Sequence, residues 1–403
     1  MVMASSLNLD KTKALKYLAQ WEELCQRDNG SLWGVNLRTP FVIVDQVTRE
    51  ITANEEGFGS RFPNDIVITA TGFEYQSRWW AMAPWHIVET YSEKERMKLL
   101  VHEAFHTVQP SLFGREGENT GNNAHLEELD ARVLFFVEMD ALLEALKNKG
   151  DAQIKAAHAA LQARGLRRKK YGPMTEATEE ISEGTAVYTE IMIVDPDGYL
   201  EVMEQRTQLA RGPALPMFMG YLAGAMYCFV LDKLGVDWKP GLKHNSDLGE
   251  ILANAIGTAD VDLNEYGYRK ITKEEENNRA TRERELNQIR EAFTTRPLLK
   301  IFEEGQKAVA GIKFEITGFG TAARGVVQYI GDFGKMDANK DIDFAKILEL
   351  KNDFLVHDNG YCAVFAEGIK IEGNKVTGDY WELVLNEGFV VVADGINFEV
   401  KIV

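Results

Sequence analysis

The chain has 403 residues, 45% of them hydrophobic, which is enough for two or three domains with sizeable cores. A formal net charge of −17, from 45 Lys and Arg against 62 Asp and Glu, argues against nucleic acid or an anionic membrane as partner. Cys25, Cys228 and Cys362 are odd in number and too far apart for a disulfide framework or a thiolate metal site, so they read as small buried hydrophobes.

The first element expected is an amphipathic helix over 9–28, with Leu15, Leu18, Ala19, Trp21 and Leu24 on its apolar side and an Asn-Gly-Ser turn after it. The residues before it lack a basic segment and an apolar core of signal-peptide length. The chain as written therefore reads as cytoplasmic, although one trimmed of a signal peptide would read identically. No apolar run approaches the 18 residues of a membrane span; the longest, 220–231, has the length of a buried helix. Residues 32–90 carry short β patterns, notably 40–45 and 66–70, followed by Trp79, Trp80 and Trp85. That aromatic cluster is expected in the core rather than in a binding subsite.

Residues 92–109 read as a helix. Ser92-Glu93-Lys94-Glu95 has the form of a capping box, Met97, Leu99, Leu100 and Val101 supply apolar positions, and Pro110 reads as a stop. Inside this helix, His102-Glu103-Ala104-Phe105-His106 spells H-E-x-x-H. Imidazoles at i and i+4 share one face about 6 Å apart along the axis, so both can hold one zinc ion, with Glu103 beside them as general base for a bound water. Seven histidines in a chain of this acidity give roughly 0.02 accidental matches. The motif predicts a metal-dependent hydrolase.

A catalytic zinc needs a third protein ligand and an open position. The spacing leaves two segments available. The nearer, His125-Leu126-Glu127-Glu128-Leu129-Asp130, opens a helical run whose apolar side is Leu126, Leu129, Val133, Leu134, Val137, Leu142 and Leu143. There Glu127, Glu128 and Asp130 read as a polar side, and His125 as a cap or surface residue. The farther segment runs from Glu183 through Gly184, Thr185, Ala186, Val187 and Tyr188 to Glu190. Its small residues Gly184 and Ala186 are expected to let this helix pack closely on the first.

HEAFHTVQP followed downstream by ISEGTAVYTE resembles the gluzincin group of zinc metallopeptidases, in which a later helix supplies a glutamate as third ligand, often within E-G-x-A-x-Y. The likeness extends, over about residues 20–260, to a bacterial branch with a Leu-Trp-Gly stretch (here 32–34), a Trp-rich segment before the zinc helix and a helical insert between the motifs (here 123–168). The resemblance implies His102, His106 and Glu183 as metal ligands, Zn2+ as cofactor and a peptide or protein as substrate. It also implies a sheet beside the zinc helix with one edge strand open to substrate, either 40–45 or 66–70. The same chemistry would serve a non-peptide amide or ester, and a binding or scaffold protein could keep this frame. The oxyanion formed during hydrolysis needs a second donor, for which Tyr188 comes first, before Tyr227 and Tyr221; Asp130, Glu179 or Glu190 could orient the histidines.

Beyond 92 the chain stays helical to about 265, and the alternating charges of 273–290 read as an exposed connecting helix. After 308 the period changes to two, with strands expected at 312–316, 325–330, 361–365, 389–393 and 398–403. Residues 337–341 begin like a calcium loop, but Ile342 stands where glycine is required, and the site is rejected. The expected class is α+β. An N-terminal helix (1–30) precedes a mostly helical zincin-like catalytic domain (31–268) that is β-rich over 31–90 and helical over 91–268. A charged connecting helix (269–307) leads to a sandwich-like β domain (308–403).

Overall fold

The computed structural model describes residues 8–46, 48–63, 66–114, 123–172, 176–211, 215–301, 309–316, 325–329, 347–350, 354–357, 362–378, 381–385 and 388–402. Its contacts divide the chain into two units, Met1–Glu276 and Asn277–Val403. The architecture is α+β: a mainly helical first unit with one small sheet, and strands in the second. No helix among the described residues is long and apolar enough to cross a membrane.

Helix α1 (Lys11–Asp28) starts where Asp10 accepts from the backbone N–H of Thr12 and Lys13, and it ends at Asn29, whose left-handed φ of 45° turns the chain. A four-stranded sheet follows, formed by β1 (Phe41–Val44), β2 (Ile51–Ala53), β3 (Thr71–Tyr75) and β4 (Arg78–Pro84) in the order β2-β1-β4-β3. β1 is parallel to β4, and the outer pairs are antiparallel. Phe41 and Ile43 face the main core, while Val42 and Val44 join Phe62, Trp80 and Met82 in a second cluster on the opposite face. A strand buried on both sides sits inside a sheet, which corrects the expectation that 40–45 is an edge. Residues 66–70 form no strand, and Val67 is 79% exposed. The edges of this sheet are β2 and β3.

After α2 (Trp85–Thr90) comes α3 (Glu93–Phe113), capped by the Ser92 hydroxyl at the Glu95 amide. Pro110 does not stop it. The ring removes the N–H that would bond to the His106 carbonyl, but so near the helix end the last turn continues to Phe113. Leu100, Val101, Ala104 and Phe105 are fully buried beneath it, and Trp80 and Trp85 are core residues as expected.

The insert forms an antiparallel pair, α4 (Leu129–Lys147) and α5 (Asp151–Tyr171). α4 is buried almost all round, including Arg132 and Glu138, so it has no solvated stripe along most of its length. The third-ligand segment has three parts: α6 (Glu176–Glu179), a π-helical turn (Glu180–Gly184) and α7 (Thr185–Val194), which packs on α3. Further α-helices of this unit among the described residues are α8 (Tyr199–Leu209), α9 (Leu215–Lys233) and α10 (Leu248–Ile256). The unit boundary falls inside α11 (Tyr268–Thr295). α11 is exposed along much of its length, but Glu275 is fully buried and paired with Arg132 at 2.6 Å, which corrects its reading as solvated.

In the second unit, helix gives way to strand at Pro297, so β5 (Leu298–Ile301) starts earlier than the expected change of period. Two sheets form, one six-stranded and one five-stranded. Strands appear over Val309–Ile316, Gly325–Tyr329, Cys362–Phe365, Phe389–Asp394 and Asn397–Ile402, matching the expected positions within a few residues. The last two close a hairpin through the two-residue turn Gly395-Ile396, and the φ of 62° at Gly395 suits glycine at the first central position. The rejected calcium loop lies outside the described residues.

Candidate metal centre

The helical period brings His102 and His106 to one face of α3, with ring centroids 4.8 Å apart. The π-helical turn aims Glu183 between them: its Oε2 lies 3.2 Å from His102 Nε2 and 3.5 Å from His106 Nε2. All three donor atoms lie within 4.8 Å of one another. Two imidazoles and one carboxylate at this spacing could share one metal ion.

Each imidazole is oriented from behind. His102 Nδ1 donates to Glu190 Oε2 at 2.9 Å, and Arg206 holds the other oxygen of Glu190 at 2.6 Å. His106 Nδ1 donates to Gln109 Oε1 at 2.7 Å. These bonds keep a proton on each Nδ1, so that the neutral imidazoles would present their Nε2 lone pairs on the side of Glu183. Of the three orienting candidates, Glu190 fills the role for His102. Asp130 is paired instead with Lys170 and Tyr171.

Burial opposes charge on His102, but its bonds to Glu183 and Glu190 outweigh that and raise it to about 10. His106 is also raised, because the Glu183 carboxylate overrides its burial. Burial pushes Glu183 upward, and the two imidazoles reverse this and hold it well below the usual carboxylate range. Glu190 is lowered in the same way by Arg206 and His102. Surroundings that favour positive charge on two imidazoles also favour a cation between them. Glu103, one residue along the helix, is buried, and that burial raises its carboxyl despite the nearby imidazoles.

A close helix crossing seats the π-helical turn. A Cβ on Gly184 would lie 2.4 Å from Gly224 Cα, one on Gly224 would lie 2.2 Å from the Glu180 carbonyl, and one on Gly220 would lie 2.6 Å from the Glu179 carbonyl. Gly184 therefore serves contact with α9, not with α3 as expected. The same crossing lays the Tyr221 ring parallel to His102, with centroids 5.8 Å apart and 4° between planes. Burial, and then the nearby Glu183 carboxylate, raise the Tyr221 hydroxyl above its ordinary value.

Tyr188, the first candidate for the second donor, lies elsewhere. Five residues past Glu183 is about 140° round the helix, whereas seven residues, the position of Glu190, returns within about 20°. The Tyr188 ring packs against Trp33, Phe229 and Trp238, and its hydroxyl donates to Asp232 while accepting from Lys239. Tyr227 bonds to Glu138 at 2.7 Å. Tyr221 is the tyrosine at the centre.

The nearer candidate segment is likewise apart from the centre. His125, expected at the surface, is buried and bonded to Glu176 at 2.7 Å. Glu127 and Glu128 are exposed, in keeping with the polar side expected for them. Gln109 and Arg206 were not anticipated; the i+3 step from His106 to Gln109 is the one local signal that could have drawn attention to the former.

No protein-family model matches the chain, and neither the curated proteins nor the solved structures provide a match.

Proposed function

We propose that the chain is a zinc-dependent hydrolase of the gluzincin type, carried on a zincin-like helical domain, and that it cleaves peptide bonds. The observation that carries this reading is the convergence of His102, His106 and Glu183 beside Glu103. His102 Nε2, His106 Nε2 and a Glu183 oxygen would hold the ion. Zinc bound there would supply Lewis acidity, lowering the pKa of a water toward 7 and polarising a carbonyl. Glu103 accepts the proton of the attacking water and returns it to the leaving amine. Tyr221, whose ring is stacked on His102, donates to the oxyanion that forms as the carbonyl is attacked.

The edge of β3 supports a peptide as substrate. A Cβ on Gly72 would lie 2.9 Å from His106 Cβ, so this strand passes directly beside the second histidine. An edge strand there offers backbone donors and acceptors to an extended chain.

The test is elemental analysis of the purified protein, with turnover of a peptide library by the native chain and Glu103→Gln. The expected result is about one zinc per chain in both, with cleavage about 10²–10⁴-fold slower in the variant. Absence of bound zinc would sink the reading. Zinc without Glu103-dependent cleavage would instead indicate a binding protein on this frame, and cleavage confined to other amides or esters would change the substrate class.

A further inference from the structure

Gln109 joins the side chain of one candidate ligand to the backbone that carries another. Its Oε1 accepts from His106 Nδ1 at 2.7 Å. Its Nε2 donates to the Ser182 carbonyl at 2.6 Å and reaches Thr185 Oγ1 at 3.1 Å and the Ile181 carbonyl at 3.4 Å, all in or next to the π-helical turn that presents Glu183. We propose that Gln109 is a positioning residue that locks the second histidine and the third-ligand turn to each other, so that one buried amide sets the distance between two ligands. This rests on the metal-centre reading above.

The chemistry of the amide is what qualifies it. A π-helical turn carries one residue more than an α-turn and displaces carbonyls from the regular bonding ladder. The side chain that meets them must donate, and the one that fixes the His106 tautomer must accept. Among side chains of this length, only Gln does both without charge; ionised Glu accepts only, and Met offers no donor and only a weak acceptor. Gln109 is buried, so an unmet donor or acceptor there is not rescued by solvent. Thr185 strengthens the same join, since its hydroxyl accepts from Gln109 and donates to the Ile181 carbonyl. Without the amide, His106 can rotate and the turn can relax, and the site must then assemble around the ion instead of meeting it ready-made.

The experiment compares the full native chain with Gln109→Glu, Gln109→Met and the exposed control Ser111→Ala. Zinc affinity is read by chelator competition, the visible spectrum of the cobalt(II)-loaded protein reports ligand geometry, and melting of the metal-free protein reports the fold. Affinity is expected to fall about tenfold in Gln109→Glu, which keeps the bond to His106, and toward 100-fold in Gln109→Met. The cobalt bands should shift in both variants, and Ser111→Ala should match the native chain. Should Gln109→Met fail to fold, Gln109→Glu decides alone. Native affinity and an unshifted cobalt spectrum in the Gln109 variants would overturn the proposal. So would a loss of affinity no larger than the loss of metal-free stability, or an equal loss in Ser111→Ala. A native chain that binds no zinc would instead defeat the metal-centre reading itself.

Discussion

Two clusters of charge are buried in the first unit, and they are put together differently. Around α4 and α5, Arg164 makes a two-pronged pair with Glu180 at 2.6 and 2.7 Å, Arg167 does the same with Glu176 at 2.8 and 3.0 Å, and Glu138 lies between the arginines. A guanidinium keeps its proton and offers only donors, so this cluster is closed by its own cations. At the metal centre the basic partners of Glu183 are imidazoles, whose Nε2 atoms expose lone pairs once their protons are lost. Burial of charge is common to both clusters. What separates them is that two imidazoles face one carboxylate at the metal centre, whereas in the arginine clamp the single imidazole, His125, shares Glu176 with a guanidinium.

That contrast can be broken from either side. The largest effect is expected in the arginine cluster. Glu138→Ala leaves Arg164, Arg167 and the Tyr227 hydroxyl short of an acceptor and should cost about 3–5 kcal/mol in denaturant unfolding. Zinc content of the folded fraction should stay native; a stable variant that lost its zinc would merge the two clusters into one functional unit. Next comes Tyr221→Phe, which keeps the ring against His102 but removes the donor. It should lower kcat about 10²–10³-fold with zinc retained, and an unchanged kcat would remove Tyr221 from the chemistry.

A smaller loss is expected from Glu190→Gln, which keeps the length of the side chain but weakens its hold on His102 and Arg206. Zinc affinity by chelator competition should fall about 10–100-fold. A change below about twofold would mean that the α3 helix alone orients His102, against the usual weight of such partners.

The elements legible in the sequence were those set by local period. The i, i+4 histidines, the Ser92 cap and the apolar runs of the helices follow from 3.6 residues per turn, and Glu183 was recognisable through its pairing with H-E-x-x-H. What escaped reading depends on partners distant in the chain. Glu138 and Glu275 look like solvated carboxylates because their arginines stand 26 and 143 residues away. The π-helical turn leaves no periodic mark, so neither the glycine seat on α9 nor the demand it makes on Gln109 could be anticipated. Tyr188 misled because closeness in sequence to Glu183 stood in for helical phase. β1 misled because its all-apolar composition is that of a central strand, and the edge beside the second histidine fell to the more polar β3.

A third kind of ion cluster sets the scale for the other two. Glu55 lies at the surface, bonded to Arg38 at 2.7 Å and to Arg78, with about a fifth of its side chain exposed. Burial pushes its carboxyl upward, but the two arginines more than reverse this and lower it. A carboxylate with a folded pKa below its unfolded value stabilises the fold above the unfolded pKa of about 4.3, and that contribution disappears as pH falls through the folded value. Glu55→Gln should therefore cost only about 0–1 kcal/mol at pH 7, and its melting curve should converge on the native one as pH drops from 5 toward 3. A gap that persisted at pH 3 would mean that the side chain acts by packing rather than by charge. A loss at pH 7 approaching that of Glu138→Ala would mean that burial does not rank these clusters, and the contrast between clamp and ligand site would then need another physical basis.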